Sequence, residues 1–139
     1  MLLKDKVAVV YGAGGKIGGA VARAFAREGA FVFLTGRTLA PLDAVAVEIT
    51  AAGGRAETAQ VDALDPAAVE DQLAHIIEKD GRIDISFNAI SIRGDLQGTP
   101  LVEMPWEDFT TPVLVGAKTH FITATAAARY MMKQGAGVI

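Results

Sequence analysis

The sequence predicts an α/β protein built on a doubly wound parallel sheet, and two patterns support this prediction. Short apolar runs alternate with segments whose apolar residues recur at helical spacing, in the order strand, helix, strand, helix, strand, helix, strand. This alternation is typical of a parallel sheet with helices on both faces. In addition, five glycines lie between positions 12 and 19, directly after the first apolar run. With 139 residues, 51% of them hydrophobic, the chain is long enough for one domain with its own core.

The first half of the chain is predicted to contain two strand–helix units. Residues 7–11 form a β-branched run that is typical of a strand buried on both faces. The helix that follows is expected to end near Gly29. Its predicted apolar stripe consists of Ile17, Val21, Ala24 and Phe25. Residues 31–35 form the second strand, and the second helix ends at Gly53–Gly54. The apolar face of this second helix consists of Leu42, Val45, Ala46 and Ile49.

The second half continues the alternation. Residues 55–61 form a weaker third strand, and Asp65 with Pro66 begins a helix that ends at Gly81. The apolar stripe of this helix consists of Val69, Leu73, Ile76 and Ile77. Residues 83–88 form a fourth strand. A loop is predicted over 91–105, which contains Gly94, Gly98, Pro100 and Pro105. Residues 106–133 are predicted to be helical, with Pro112 marking a kink or the true start.

Right-handed crossovers would give these strands the order 3-2-1-4. The order reverses between strands 1 and 4, and ligands of such sheets bind at the carboxyl ends of the strands near that point. Val138–Ile139 has the character of a fifth strand beginning beside strand 4. Because a terminal carboxylate would be costly to bury there, we expect the natural chain to continue past Ile139.

Composition limits the classes of partner. The net charge is −3, the isoelectric point is near 5.3, and basic residues are scattered, so a nucleic-acid partner is not expected. The absence of cysteine excludes disulfides and thiolate metal sites, and no cluster of ligand-type residues predicts a metal. No apolar stretch reaches the roughly 18 residues of a membrane span, so neither a membrane partner nor an export signal is predicted and the cytoplasm is the expected location.

The glycines lie where the first strand turns into the first helix. Glycine permits positive φ and lets an anion approach the N–H groups at the helix N-terminus, so a pyrophosphate is the expected ligand. Tight turns also use glycine for purely steric reasons, and that alternative stays open. A triphosphate-binding loop is disfavoured, because Val10 and Ile17 stand where it needs glycine and Ser or Thr. The spacing that remains is GxxGxxG, from Gly12, Gly15 and Gly18.

The residue types at the end of the second strand indicate which nucleotide the site prefers. Sites for NAD place an acid there, and methyltransferases commonly do the same, whereas this chain has Thr35-Gly36-Arg37-Thr38. Arg37 is suited to a 2′-phosphate, and Lys16 offers a second positive charge. The residues thus favour NADP(H) over NAD(H). A solvent-exposed turn is the alternative role for both side chains.

Four segments together resemble the short-chain dehydrogenase/reductase family. They are "KVAVVYGAGGKIGGAVARAFAREGA", "VFLTGR", "VDALD" and "DISFNAI", and "GAGVI" is similar to the start of the family's fifth strand. The resemblance covers all 139 residues and implies one NAD(P)-binding Rossmann domain over 1–139, ending before the catalytic half. The cofactor-binding residues that the glycine motif and the resemblance give together are Gly12, Gly14, Gly15, Lys16, Ile17, Gly18, Arg37, Asp62, Ala63, Asn88, Ala89 and Ile90.

The sequence departs from the family pattern at several positions. Tyr11 replaces the usual threonine, Lys16 replaces a glycine, and no asparagine stands near Val113, where the family has one. Phe87 and Ile90 also differ from the family's fourth-strand motif. The family's catalytic Ser and Tyr-x-x-x-Lys cannot be placed on this chain, so no catalytic residue is assigned. In Tyr130 and Lys133 the lysine follows three residues after the tyrosine instead of four.

The sequence therefore predicts the cofactor half of an NADP-dependent oxidoreductase. It would transfer hydride between nicotinamide and a carbonyl or alcohol, although this piece alone is expected to be inactive. The resemblance also implies a homo-oligomer through the helix after Trp106. Two alternatives remain: a non-catalytic module that binds NADP or serves assembly, and a methyltransferase-like nucleotide fold, against which the missing acid counts.

Overall fold

The computed structural model describes residues 1–91 and 98–139. Its strands are β1 (Val7–Tyr11), β2 (Phe31–Gly36), β3 (Arg55–Gln60) and β4 (Ile85–Asn88). Its helices are α1 (Lys16–Arg27), α2 (Leu39–Ala51), α3 (Pro66–Asp80) and α4 (Trp106–Gln134), and a short 3-10 turn covers Leu101–Glu103. The predicted loop over 91–105 agrees with this arrangement apart from that turn, and the part of it that holds Gly94 lies outside the described residues.

The four strands form one parallel sheet in the order β3-β2-β1-β4, which confirms the predicted topology. The chain also returns to the sheet at its last residues. Val138 pairs with Ile85 in parallel, and the Val138 carbonyl accepts a hydrogen bond from the Ser86 N–H at 3.0 Å. The predicted fifth strand thus begins beside β4.

The sheet is covered on both faces, and each face has its own hydrophobic core. Alternate residues of β1, including Val7 and Val9, pack with α3 and α4, while Val10 packs with α1 and α2. In α2 the buried residues are Leu42, Val45 and Ile49, as the helical spacing predicts. At the start of α3, the Asp65 carboxylate accepts hydrogen bonds from two N–H groups of the first turn, which confirms the predicted N-cap.

The predicted apolar stripe of α1 is wrong at its first position. Ile17 is 71% exposed, and the residues that this helix buries are Gly18, Gly19, Ala22 and Ala26. A Cβ added to Gly18 would lie 2.2 Å from the Gly12 carbonyl oxygen, so the helix packs on β1 through bare backbone. Counting apolar side chains misplaces such a face because glycine carries none.

One strand begins later than predicted, and the helix after the loop begins at Trp106 as predicted. Strand β4 begins at Ile85 instead of Ile83, although the Asp84 N–H already donates to the Val7 carbonyl at 2.8 Å. Pro112 lies inside a helix that begins at Trp106, and therefore it is not the true start. In the described residues, no helix is long and apolar enough to span a membrane.

Candidate functional site

A cleft of about 370 Å³ opens at the carboxyl ends of β1, β2 and β4, where the predicted strand order reverses. Its size is within the usual range of small-molecule sites. Three surfaces line it: the turn from β1 into α1, the segments after β2, β3 and β4, and one side of α4. The lining residues are Tyr11, Gly12, Gly14, Gly15, Thr35, Gly36, Arg37, Thr38, Pro41, Leu42, Val61, Asp62, Ala63, Leu64, Ala89, Ile90, Ser91, Thr111, Pro112, Val115 and Thr119.

The floor of the cleft is the β1–α1 turn, and its backbone is fixed tightly to its neighbours. Gly12 has φ +73°, and a Cβ there would lie 2.8 Å from the Ala89 carbonyl oxygen. The Gly12 N–H donates to the Thr35 carbonyl at 2.9 Å. Only glycine is compatible with both the dihedral angle and the close contact. The turn is therefore set by backbone contacts to both neighbouring strands.

The glycines of the turn have different roles. Gly18 is buried and packs against Gly12, whereas Gly14 and Gly15 line the cleft. Gly15 is the N-cap of α1 and supplies no side-chain capping bond. The N–H groups of a first helical turn have no partner within the helix. These groups therefore remain available to an anion in the cleft, where the helix dipole also favours negative charge.

Arg37 is a cationic side chain of the cleft lining, at the end of β2. It is exposed, and its backbone carbonyl accepts a hydrogen bond from Gln60 Nε2 at 2.9 Å, which fixes the main chain beneath it. Thr38 is the N-cap of α2, and its hydroxyl makes no capping bond. Lys16 is exposed at the first position of α1 and, like Ile17, is not part of the lining.

The turn after β3 contributes Asp62 and Ala63 to the opposite rim. Asp62 Oδ1 accepts a hydrogen bond from the Leu64 N–H at 2.9 Å, and its carbonyl accepts one from the Asp65 N–H at 3.0 Å. Ala63 is 4% exposed and lies mostly beneath the rim. The carboxylate of Asp62 is thus partly engaged in holding its own turn.

The segment after β4 forms the wall next to the turn. Ala89 and Ile90 line the cleft, but Asn88 does not. The side chain of Asn88 is directed at α4, where its Nδ2 lies 3.3 Å from Thr123 Oγ1, and its Oδ1 accepts from the Ile90 N–H at 3.0 Å. Its observed contacts are therefore with the protein.

Sequence reasoning missed the α4 side of the cleft, which comprises Thr111, Pro112, Val115 and Thr119. These residues share one helical face, so their spacing was available in the sequence, but nothing there indicated that this face meets the ends of the strands. It also missed Tyr11, which is 1% exposed. Burial and the nearby Glu70 carboxylate raise the pKa of the Tyr11 phenol, so it stays protonated at neutral pH.

Tyr130 lies away from the cleft and is bound to another group. Its hydroxyl donates to Glu70 Oε1 at 2.6 Å, and Arg129 binds the other oxygen of that carboxylate at 3.0 Å. The bond from Tyr130 outweighs burial and lowers the pKa of Glu70, while the same bond raises the pKa of Tyr130. Tyr130 therefore ties α4 to α3, and it offers no acid or base to the cleft.

Sequence comparison matches this chain to known oxidoreductases. The model of the family described as short chain dehydrogenase matches residues 6–139. An oxidoreductase of Mycobacterium tuberculosis, described as uncharacterized, is 34% identical over 97% of this chain and 50% of its own length. The gluconate 5-dehydrogenase of Gluconobacter oxydans is 36% identical over 95% of this chain and 50% of its own length. The chain thus spans about half the length of these curated relatives.

Solved structures give the same result. A metagenomic short-chain oxidoreductase in complex with NADP superposes with a TM-score of 0.83 at 31% identity, over 99% of this chain and 62% of that chain. A xylitol dehydrogenase with bound NAD⁺ superposes with a TM-score of 0.89 at 27% identity, over 99% of this chain and 53% of that one. Fold, family match and relatives agree, and the chain belongs to the short-chain dehydrogenase family.

Proposed function

We propose that the cleft binds NADP(H) in preference to NAD(H). The observation that carries the proposal is the pairing of two features on one cleft: an α1 N-terminus reached through Gly14 and Gly15, and the Arg37 guanidinium at the end of β2. The first suits a pyrophosphate and the second a 2′-phosphate. No carboxylate follows β2 to bind ribose hydroxyls or repel that phosphate. Similar structures include complexes with NADP and a complex with NAD⁺, so the preference rests on Arg37.

We propose the following roles for the remaining predicted residues. Gly12 and Gly18 shape the turn, Lys16 and Ile17 flank the pyrophosphate, and Asp62 with Ala63 faces the adenine. Ala89 and Ile90 form the wall beside the ribose, and Asn88 supports that wall by accepting a hydrogen bond from the Ile90 N–H. A Cβ on Gly12 would collide with the backbone of that wall, so the wall can approach the turn this closely only where the turn has a glycine. Residues 1–139 would form a single cofactor domain. The cytoplasmic location stays a prediction.

In the complete protein, the bound dinucleotide would supply hydride exchange with a small carbonyl or alcohol. The residues of this chain bind and orient it. The name of the Gluconobacter relative, a gluconate 5-dehydrogenase, agrees with a substrate of that class. Of the two serines, Ser86 is buried in β4 and Ser91 is at the cleft, and Tyr130 is bound to Glu70, so the chain provides no family-type Ser and Tyr-x-x-x-Lys set.

Calorimetric titration with NADPH, NADH and S-adenosylmethionine tests the proposal. We expect binding in the order NADPH, then NADH, with no heat from S-adenosylmethionine. Adenosine 2′,5′-bisphosphate and adenosine 5′-monophosphate refine the test, because they differ only in the 2′-phosphate. Tighter binding of the bisphosphate would localise the preference to that group. Absence of heat with both pyridine nucleotides would defeat the proposal.

A second candidate is a non-catalytic NADP-binding module. It is favoured by Val113, which stands where the family resemblance expects an asparagine and is 61% exposed. An extended chain that binds NADPH but oxidises none of it against a panel of carbonyl compounds would support this candidate. Turnover by the extended chain would reject it.

We also propose self-association through α4. Its exposed apolar side chains are Trp106, Phe109, Val113, Leu114, Phe121 and Met132. An apolar surface of this kind is typical of an interface. Light scattering after size-exclusion chromatography should give a multiple of the 14.5 kDa chain mass, and Phe121→Glu should reduce it to one. A monomeric wild-type chain would contradict the proposal.

A further inference from the structure

A short hydrogen-bond chain connects β4 to α4 beside the cleft. The Ile90 N–H donates to Asn88 Oδ1 at 3.0 Å, and Asn88 Nδ2 donates to Thr123 Oγ1 at 3.3 Å. Thr123 Oγ1 in turn donates to the Thr119 carbonyl at 2.9 Å. Thr123 is 2% exposed, so its hydroxyl has no access to bulk water. The Asn88 amide and the Thr123 hydroxyl each accept one hydrogen bond and donate onward, so the bonds run in one direction from Ile90 to α4.

The first end of this chain reaches the floor of the cleft. Asn88 is followed by Ala89, whose N–H donates to the Tyr11 carbonyl at 2.9 Å. A Cβ on Gly12 would lie 2.8 Å from the Ala89 carbonyl oxygen and 3.0 Å from Ile90 Cα. The wall and the turn therefore approach each other too closely to admit a side chain at Gly12. A shift of Ala89 or Ile90 would therefore move the turn that faces the pyrophosphate.

The other end reaches the α4 wall. Thr119 is 2% exposed and lines the cleft. Within the described residues, polar side chains connect α4 to the β4 segment at two places, one at each end of the strand. Gln134 binds both the N–H and the carbonyl of Ile83 at the amino end, at 3.2 and 3.3 Å, and Thr123 binds Asn88 at the carboxyl end.

We propose that Thr123 is a positioning residue for the dinucleotide. Acting through Asn88, its hydroxyl fixes Ala89 and Ile90 against Gly12 and sets the spacing between the β4 and α4 walls of the cleft. Thr123 itself need not touch the ligand. The binding test of this inference rests on the proposed function. A second test, on the ligand-free protein, does not depend on it.

Two variants of Thr123 and one matched control test this role. Thr123→Val keeps the shape and removes the hydroxyl, and Thr123→Ser keeps the hydroxyl. Thr125→Val is the control, since the Thr125 hydroxyl bonds within its own helix, to the Phe121 carbonyl at 2.7 Å and the Ile122 carbonyl at 3.4 Å. We expect Thr123→Val to weaken NADPH binding about threefold to tenfold, which is the usual effect of one hydrogen bond. Thr123→Ser and Thr125→Val should bind as the wild type does.

Hydrogen–deuterium exchange of the ligand-free protein gives the independent readout. The Ile90 amide should exchange faster in Thr123→Val and at the wild-type rate in Thr125→Val, even where thermal denaturation gives both variants the same Tm. Unchanged exchange at Ile90, or a Thr125→Val variant that weakens binding equally, would overturn the inference. Failure of the wild type to bind NADPH would instead overturn the proposed function and leave the exchange test decisive for Thr123.

Discussion

The two ends of the sheet are built in contrasting ways. At the amino end, the Asp84 carboxylate is 8% exposed and accepts hydrogen bonds from Arg82 Nε at 2.7 Å and from the Val7 N–H at 2.9 Å. Lys6 Nζ lies 3.4 Å from its other oxygen. At the carboxyl end, α1 begins without a side-chain cap and Arg37 is exposed on the cleft.

The contacts at the amino end of the sheet stabilise the fold, and the groups at the carboxyl end are available for binding. At the amino end, polar side chains satisfy one another and hold β1 to β4. At the carboxyl end, backbone N–H groups and the exposed Arg37 guanidinium are the groups that we propose a ligand satisfies. Breaking contacts at the amino end should therefore lower stability without changing affinity, and changes at the carboxyl end should do the reverse. The glycine packing beneath the turn is the exception, because both properties depend on it.

The largest effect is expected from Gly18→Ala. The new Cβ would lie 2.2 Å from the Gly12 carbonyl oxygen and 2.9 Å from Ala13 Cα, both of which are backbone atoms that cannot rotate away. Such overpacking should destabilise the fold by about 3 kcal/mol, measured by urea denaturation. Gly116→Ala is the matched helical control, since nothing lies within 4 Å of its Cβ. That variant should gain about 0.5–1 kcal/mol. Equal effects of the two substitutions would refute the packing argument.

The next effect is expected from Asp84→Asn. Burial alone would raise the pKa of Asp84, but its bonds to Arg82 and the Val7 N–H, with the charges of Arg82 and Lys6, outweigh burial and lower it. Removing the charge should cost about 2 kcal/mol at pH 7, because the two cations can still be hydrated. A carboxylate with a lowered pKa stabilises the fold fully above its unfolded pKa, so the wild-type advantage should shrink as the pH falls from about 4 through the lowered folded pKa.

The same variant tests the separation of the two ends. NADPH affinity of Asp84→Asn should equal that of the wild type at a temperature where both are folded. A parallel loss of affinity and stability would show that the amino end also shapes the cleft.

At the carboxyl end, Arg37→Gln should weaken NADPH binding about tenfold, which is the cost of losing a charge-assisted bond to phosphate. Its Tm should not change, because Arg37 is exposed and its known contact to Gln60 uses the backbone carbonyl. NADH affinity should stay the same. Arg55→Gln is the control for total charge, since Arg55 lies over the Phe31 ring and away from the cleft. Equal losses for NADPH and NADH would remove the 2′-phosphate assignment.

The sequence was sufficient for the parts of the molecule that depend on local periodicity. Strand order, the apolar face of α2 and the Asp65 cap all follow from patterns within one or two elements. The face of α1 did not, because the contact is made by glycines that carry no hydropathy signal. The α4 wall and the Asn88–Thr123 bond could not be predicted from such local patterns either. They join residues far apart in the chain, and the position of α4 against the strand ends is a tertiary property.

The smallest effect is expected from Glu57→Gln, at the edge strand between the two ends. Glu57 accepts a bond from Lys79 and lies 3.0 Å from His75 Nε2, both on α3. Burial would raise the pKa of Glu57, but the bonds from Lys79 and His75 together outweigh it, and the pKa is lowered. The pairing therefore stabilises the fold above the unfolded pKa of about 4.3 and loses that effect as the pH falls below about 4.

Because Glu57 and both its partners are partly exposed, solvent screens the pairing, and Glu57→Gln should cost less than about 1 kcal/mol at pH 7. Thermal denaturation at pH 7 and at pH 3 measures the difference, which should shrink at the lower pH. Glu48→Gln, which breaks the more exposed pair with Arg23, is the control and should change Tm at pH 7 by less. A Tm difference between wild type and Glu57→Gln that is the same at both pH values would mean that Glu57 acts through packing of β3 on α3. The edge strand would then depend on neither the charge pairing of the amino end nor the ligand-facing groups of the carboxyl end.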